Sequence, residues 1–109
     1  MPDVVLTLTA ENFEQVSSGT WLVDFWSSWC APCRAMEPIL EELAREMPEV
    51  KIGKVEVDTN AELANRFNVT SLPTLFILRD GESIRKLIGV RTKRNLAQAM
   101  NHAGGGDPL

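Results

Sequence analysis

The two cysteines of the chain lie close together, in the stretch Trp29-Cys30-Ala31-Pro32-Cys33. This stretch follows an apolar run, Trp21-Leu22-Val23-Asp24-Phe25-Trp26. Behind it, apolar residues recur every three or four positions, a pattern typical of an amphipathic helix. The cysteines therefore lie where a buried strand passes into a helix. Unpaired N–H groups and the helix dipole stabilise a thiolate at such a helix start, so the stretch indicates a dithiol/disulfide redox site.

Two alternatives compete with this interpretation. A closed zinc site needs four ligands, and the chain adds only His102 to its two cysteines, so a metal or cluster would have to be shared with a second chain. The cysteines could instead be buried residues without chemistry, because free cysteine often behaves as a small apolar side chain. Pro32 disfavours that alternative, since proline suits the exposed first turn of a helix. We expect a redox pair with no metal and no cofactor.

Length and composition indicate one globular domain. The chain has 109 residues, of which 44% are hydrophobic, enough for one core and too few for two domains. Neither a membrane-spanning run nor a signal-like segment is recognisable, so we expect a cytoplasmic protein without membrane contact. A structural disulfide would be reduced there, which favours a catalytic role for the cysteines. The net charge of −4 disfavours nucleic-acid binding.

The rest of the pattern predicts an α/β fold in which strands and helices alternate. The predicted strands cover residues 4–9, 21–26, 51–58, 75–78 and 82–88. The predicted helices cover residues 10–18, the stretch after Cys33, residues 61–67 with a capping box at Thr59-Asn60-Ala61-Glu62, and the stretch after Thr92. The first three strands must be parallel because helical crossovers join them, and Asp80-Gly81 predicts a hairpin. We expect a domain over residues 1–103 and a flexible tail over residues 104–109.

With these features the chain resembles the thioredoxin family over about residues 4–101. The motifs that carry the resemblance are Val23-Asp24-Phe25-Trp26, Trp29-Cys30-Ala31-Pro32-Cys33, Pro38-Ile39-Leu40, Leu72-Pro73-Thr74-Leu75, Asp80-Gly81 and Gly89. Ala31 stands where the family usually has glycine, and Arg34 where it usually has lysine. The resemblance implies the thioredoxin fold, a central five-stranded mixed sheet flanked by four helices. It also implies reduction of protein disulfides, with a thioredoxin reductase recharging the oxidised protein.

The resemblance and the chemistry of the residues together imply catalytic roles. Cys30 is expected to be the exposed thiol that attacks a substrate disulfide, and Cys33 then attacks the mixed disulfide. Asp24 interrupts an apolar strand, and because burial disfavours a charged carboxylate, we expect a raised pKa. Asp24 would then take the proton of Cys33. Lys54 matches the lysine that neighbours this acid in the family.

The resemblance also implies a peptide-binding surface. Pro73 matches the family's cis proline, which faces the cysteines and leaves the Leu72 backbone free to pair with a substrate strand. The expected substrate-binding residues are Trp29, Ala31, Pro32, Leu72, Pro73, Gly89 and Val90. We expect a monomer whose partners are disulfide-bearing proteins and a reductase. Two alternatives are a dedicated reductant or oxidase for one partner, and a redox-inert binding module of the same fold.

Overall fold

The computed structural model describes residues 4–105 of the chain. Its strands are β1 (Val5–Thr7), β2 (Thr20–Trp26), β3 (Lys51–Glu56), β4 (Thr74–Arg79) and β5 (Glu82–Ile88). Its α-helices are α1 (Ala31–Glu46), α2 (Ala61–Arg66) and α3 (Lys93–Gly105), and a 3₁₀ helix covers Phe13–Ser17. The last helix takes in the first two residues of the predicted tail, and residues 106–109 lie outside the described part of the chain. None of the helices in residues 4–105 has the length and hydrophobicity needed to cross a lipid bilayer.

The five strands form one mixed sheet in the order β1-β3-β2-β4-β5. The first three strands run parallel, as expected, whereas β4 is antiparallel to β2 and β5 is antiparallel to β4. Strand β2 is therefore central, which explains its almost continuous apolar sequence. The hairpin between β4 and β5 turns at Asp80 and Gly81, both at positive φ (51° and 86°), as this dipeptide predicts.

Two apolar clusters fill the two sides of the sheet. Leu22 of β2 packs in the cluster with Met36 and Leu40 of α1, whereas Val23 and Phe25 belong to the cluster on the other side. Because side chains alternate along a strand, Asp24 lies on the Leu22 side. The single carboxylate of β2 therefore faces the helix that begins at the cysteine pair.

The helix predicted over residues 10–18 is wrong in type and extent, because a 3₁₀ helix over Phe13–Ser17 is found there. In place of the four expected helices, residues 4–105 contain three α-helices and this 3₁₀ helix. The side chain of Asn12 accepts a hydrogen bond from the Thr9 N–H at 2.7 Å and donates one to the Thr7 carbonyl at 3.1 Å. These local bonds hold the chain in a turn after β1. Side-chain bonds of this kind compete with the helical backbone pattern, and only a short helix follows.

The predicted capping box at the start of α2, in which Thr59 would be the N-cap, is also wrong, because the N-cap residue is Asn60. Asn60 precedes the helix, but its side chain makes no capping hydrogen bond. Its amide oxygen instead accepts from the Ala10 N–H at 3.1 Å, and its amide nitrogen donates to the Glu56 carbonyl at 3.0 Å. Asn60 is buried. The amide of Asn60 therefore bonds to backbone groups outside α2, one of them distant in sequence.

Candidate active site

Helix α1 begins at the cysteine pair. Cys30 is its N-cap residue, with extended backbone, and its sulfur accepts a hydrogen bond from the Cys33 N–H at 3.2 Å. Cys30 and Cys33 form a disulfide with a Cα–Cα distance of 5.3 Å. The Cys30 sulfur thus lies against an N–H of the first helical turn, where the helix dipole favours negative charge. The predicted position of the pair at the strand–helix junction is confirmed.

The two sulfur-bearing residues differ in accessibility. Cys30 is 6% exposed and lines a surface groove, whereas Cys33 is 1% exposed and does not contact that groove. The expectation of an exposed Cys30 is therefore wrong in degree, because the neighbouring segments cover most of the residue. Cys30 is still the member of the pair that an incoming disulfide can reach.

The groove beside Cys30 has a volume of about 500 Å³. Its lining includes four of the expected substrate-binding residues, Trp29, Ala31, Pro32 and Leu72. Trp29 is 69% exposed and offers a large apolar ring at the mouth of the groove. Five further lining residues were not expected: Val57, Ala64, Val69, Thr70 and Ser71. Three of these, Val57, Ala64 and Val69, are apolar and add to the apolar surface of the groove.

The remaining expected residues lie around the loop that precedes β4. The Leu72–Pro73 peptide bond is cis, and the Pro73 carbonyl accepts a hydrogen bond from the Gly89 N–H at 2.9 Å. Gly89 has φ of 94°, a conformation that favours glycine. Val90, which follows it, is 51% exposed. In the part of the chain that the structure describes, the backbone of Leu72 makes no hydrogen bond to another backbone group.

Two polar residues that sequence reasoning missed hold Trp29 in place. The Trp29 indole N–H donates to Asp58 Oδ2 at 3.1 Å, and the Ser27 hydroxyl donates to the same oxygen at 2.7 Å. Ser27 is completely buried, whereas Trp29 is the most exposed large apolar side chain among the described residues. A buried hydroxyl and a carboxylate therefore orient an exposed ring beside Cys30. No sequence signal marks this pair, because serine and aspartate are common in loops.

Asp24 is buried, with 2% of its surface exposed, and its Oδ1 has no hydrogen-bond partner among the described residues. This burial raises the pKa of Asp24 to about 7, with the positive charge of Lys54 opposing the shift and the negative charge of Glu37 adding to it. The raised pKa agrees with the expectation from the apolar strand. Lys54 is the β3 residue directly paired with Asp24. Glu37 was not singled out by the sequence, because a glutamate on a helix is normally a solvated residue.

This arrangement suits thiol–disulfide exchange. A sulfur that lines the groove at a helix N-terminus, a second sulfur buried beside it and a carboxyl with a pKa close to neutrality are the kinds of group that such an exchange uses. Among the described side chains, no group of three or more His, Cys, Asp or Glu residues is placed to hold a metal ion.

Comparison with known proteins agrees with the site. The family model for thioredoxin matches residues 4–102. The chain is 45% identical to a thioredoxin of Listeria monocytogenes over 100 residues, covering 90% of this chain and 97% of that relative. It is 41% identical to a thioredoxin of Chlamydia pneumoniae over 99 residues, with coverage of 90% and 97%.

A solved thioredoxin variant from Halobacterium salinarum superposes with a TM-score of 0.85 at 31% identity, covering 92% of this chain and 90% of that one. Together with the Cys30–Cys33 disulfide at the start of α1, the family model and these relatives show that the chain belongs to the thioredoxin family of thiol–disulfide oxidoreductases.

Proposed function

We propose that the chain is a general reductant of protein disulfides in the cytoplasm, where a thioredoxin reductase returns it to the dithiol form. The observation that carries this proposal is the asymmetry of the cysteine pair. Cys30 caps α1 and lines the groove, and Cys33 lies buried behind it. In this proposal Cys30 reacts with the substrate disulfide, and Cys33 reacts only with the sulfur of Cys30.

The reaction has two exchange steps. The Cys30 thiolate attacks one sulfur of the substrate disulfide, that bond breaks, and the released substrate thiolate takes a proton from water. Cys33 then gives its proton to Asp24 and attacks the Cys30 sulfur, which releases the second substrate thiolate. The substrate gains two electrons, and the chain is left with the Cys30–Cys33 disulfide. Lys54 lies opposite Asp24 in the pairing of β2 with β3, and its positive charge lowers the proton affinity of that carboxyl.

The substrate lies as an extended peptide along the groove beside Cys30. The exposed ring of Trp29 and the apolar faces of Ala31 and Pro32 would contact its side chains. The backbone of Leu72, which bonds to no other backbone group within residues 4–105, would form strand-like hydrogen bonds with the peptide. Gly89 and Val90 would complete the rim, because Gly89 is hydrogen-bonded to Pro73 and Val90 is half exposed. The protein acts as a monomer in this proposal.

Trapping of the mixed disulfide tests the proposal. The Cys33→Ser variant retains the attacking thiol and lacks the resolving thiol, so it should remain covalently bound to disulfide-containing proteins. The Cys30→Ser variant is the matched control and should trap none. The unmodified chain, kept reduced by dithiothreitol, should accelerate the reduction of insulin. Absence of insulin reduction would contradict a general reductase, and capture of one protein alone would show a dedicated one.

A further inference from the structure

The ammonium group of Lys54 is directed to a partner other than Asp24. Lys54 and Asp24 are directly paired across β2 and β3. Within residues 4–105, however, the Lys54 Nζ contacts the carboxylate of Glu37, 3.9 Å from its Oε2, and lies 5.3 Å from the centre of the Trp26 ring. The Oδ1 atom of Asp24, by contrast, is buried without a hydrogen-bond partner among these residues.

Few charged groups face Asp24. Strand β3 provides Lys54, and α1 provides Glu37. Strand β4 places the uncharged Leu75 opposite Asp24, and α3 packs on this side of the sheet through the apolar residues Leu96, Ala97, Ala99 and Met100. Among residues 4–105, Lys54 and Glu37 are therefore the charged groups that act on the buried carboxyl.

We propose that Glu37 is a positioning residue for the reaction, which holds the Lys54 ammonium away from Asp24 and so keeps this carboxyl available to exchange a proton near neutral pH. The proposal rests on the proposed function, in which Asp24 accepts the proton of Cys33. Glu37 is partly exposed, with 44% of its side chain accessible, so its carboxylate lies beside the site without the cost of full burial.

The sign of the effect follows from the charges. The Glu37→Gln substitution removes a negative charge and frees Lys54 to approach Asp24. Both changes favour the ionised carboxylate, so the pKa of Asp24 should fall. A carboxylate with a lower pKa is a weaker base. The second exchange step should then have its pH midpoint at lower pH and a smaller limiting rate at alkaline pH.

The experiment compares Glu37→Gln with Glu41→Gln, which makes the same change one turn later on α1 at a residue whose exposed carboxylate lies near Arg45. Two quantities are measured in each variant. The first is the titration of the Asp24 carboxyl carbon by NMR, which needs no substrate. The second is the pH dependence of the release of a thiol peptide from its mixed disulfide with Cys30. Glu37→Gln should shift both midpoints to lower pH, and Glu41→Gln should shift neither.

The same comparison in a Lys54→Met background tests the role of the lysine. There, Glu37→Gln should shift the Asp24 midpoint by less, because no ammonium remains to be released. An unchanged Asp24 titration in Glu37→Gln overturns the proposal, as does an equal shift with and without Lys54. A shifted titration with an unshifted rate profile overturns the link to the reaction. Failure of the unmodified chain to reduce insulin would instead contradict the proposed function, and the NMR titration would still test the charge coupling.

Discussion

The indole N–H of Trp29 donates a hydrogen bond to the carboxylate of Asp58, with 3.1 Å between Trp29 Nε1 and Asp58 Oδ2. The same oxygen accepts the buried hydroxyl of Ser27, 2.7 Å away. The Cys30 N–H also donates to the Ser27 carbonyl at 3.1 Å. One serine therefore connects the orientation of an exposed ring with the backbone position of the attacking cysteine.

Replacement of Ser27 by alanine should weaken this connection. The Asp58 carboxylate would lose its buried donor, which costs about 1.5–3 kcal/mol of stability for a hydrogen bond to a charged group. Trp29 would lose orientation, so KM for a protein substrate should rise more than kcat falls. Steady-state kinetics of insulin reduction and denaturant unfolding measure the two effects.

Ser28→Ala is the matched control for Ser27→Ala, because Ser28 is exposed and its hydrogen bond to Arg34 is made by the backbone carbonyl, which the substitution retains. This variant should leave both KM and stability unchanged. Equal effects of the two substitutions on KM would show that the bond to Asp58 does not position Trp29.

Replacement of Asp24 by asparagine should change how stability depends on pH. In the folded chain the pKa of Asp24 is raised from 3.8 to about 7, so the folded state holds a proton that the unfolded state has lost. The raised pKa therefore lowers the free energy of unfolding. This loss of stability is absent below about pH 4, grows as the pH rises and is complete above about pH 7. It amounts to roughly 4 kcal/mol. In urea unfolding, the free energy of unfolding of Asp24→Asn, relative to that of the unmodified chain, should rise by this amount between pH 4 and pH 8.

Asp80→Asn makes the same chemical change in the exposed turn between β4 and β5, and it should show no such gain. A difference between Asp24→Asn and the unmodified chain that stays constant over this pH range would contradict a raised pKa for Asp24.

The oxidised chain should be more stable than the reduced chain. The disulfide closes a loop of four residues at Cys30 and Cys33, and this restriction of the unfolded chain stabilises the fold by about 2 kcal/mol. Ala31 and Pro32 offer no cation that would stabilise the thiolate of the reduced form. Thermal unfolding with and without dithiothreitol measures the difference. The double variant Cys30→Ser/Cys33→Ser should not respond to dithiothreitol, and a reduced form that melts above the oxidised form would indicate an oxidant.

Asn60→Ala should destabilise the chain by about 2–3 kcal/mol. The substitution leaves the Ala10 N–H and the Glu56 carbonyl without the partner that Asn60 provides. Asn65→Ala, on the exposed face of α2, is the control and should cost little. Denaturant unfolding of both variants provides the measurement. Equal losses would show that the amide of Asn60 does not join the segment after β1 to the end of β3.

The sequence by itself determined the parts of the site that depend on local pattern. The apolar run of β2 and the three-to-four spacing after Cys33 place both cysteines at a strand–helix junction, because each periodicity is a property of consecutive residues. Asp24 was identifiable as a charge in an apolar strand. The turn at Asp80 and Gly81 was predicted because both residues tolerate positive φ, which is a local property.

Tertiary structure alone decided which polar residues surround these groups. Glu37, Asp58 and Ser27 occupy positions where polar residues are ordinary, so their types carry no signal. Their contacts depend on the pairing of β2 with β3 and on the side of α1 that faces the sheet. For the same reason Asn60 bonds across to Ala10 and does not cap α2. Side-chain partners distant in sequence are set by the packing of elements, and that packing follows from the summed burial of apolar surface in the whole chain.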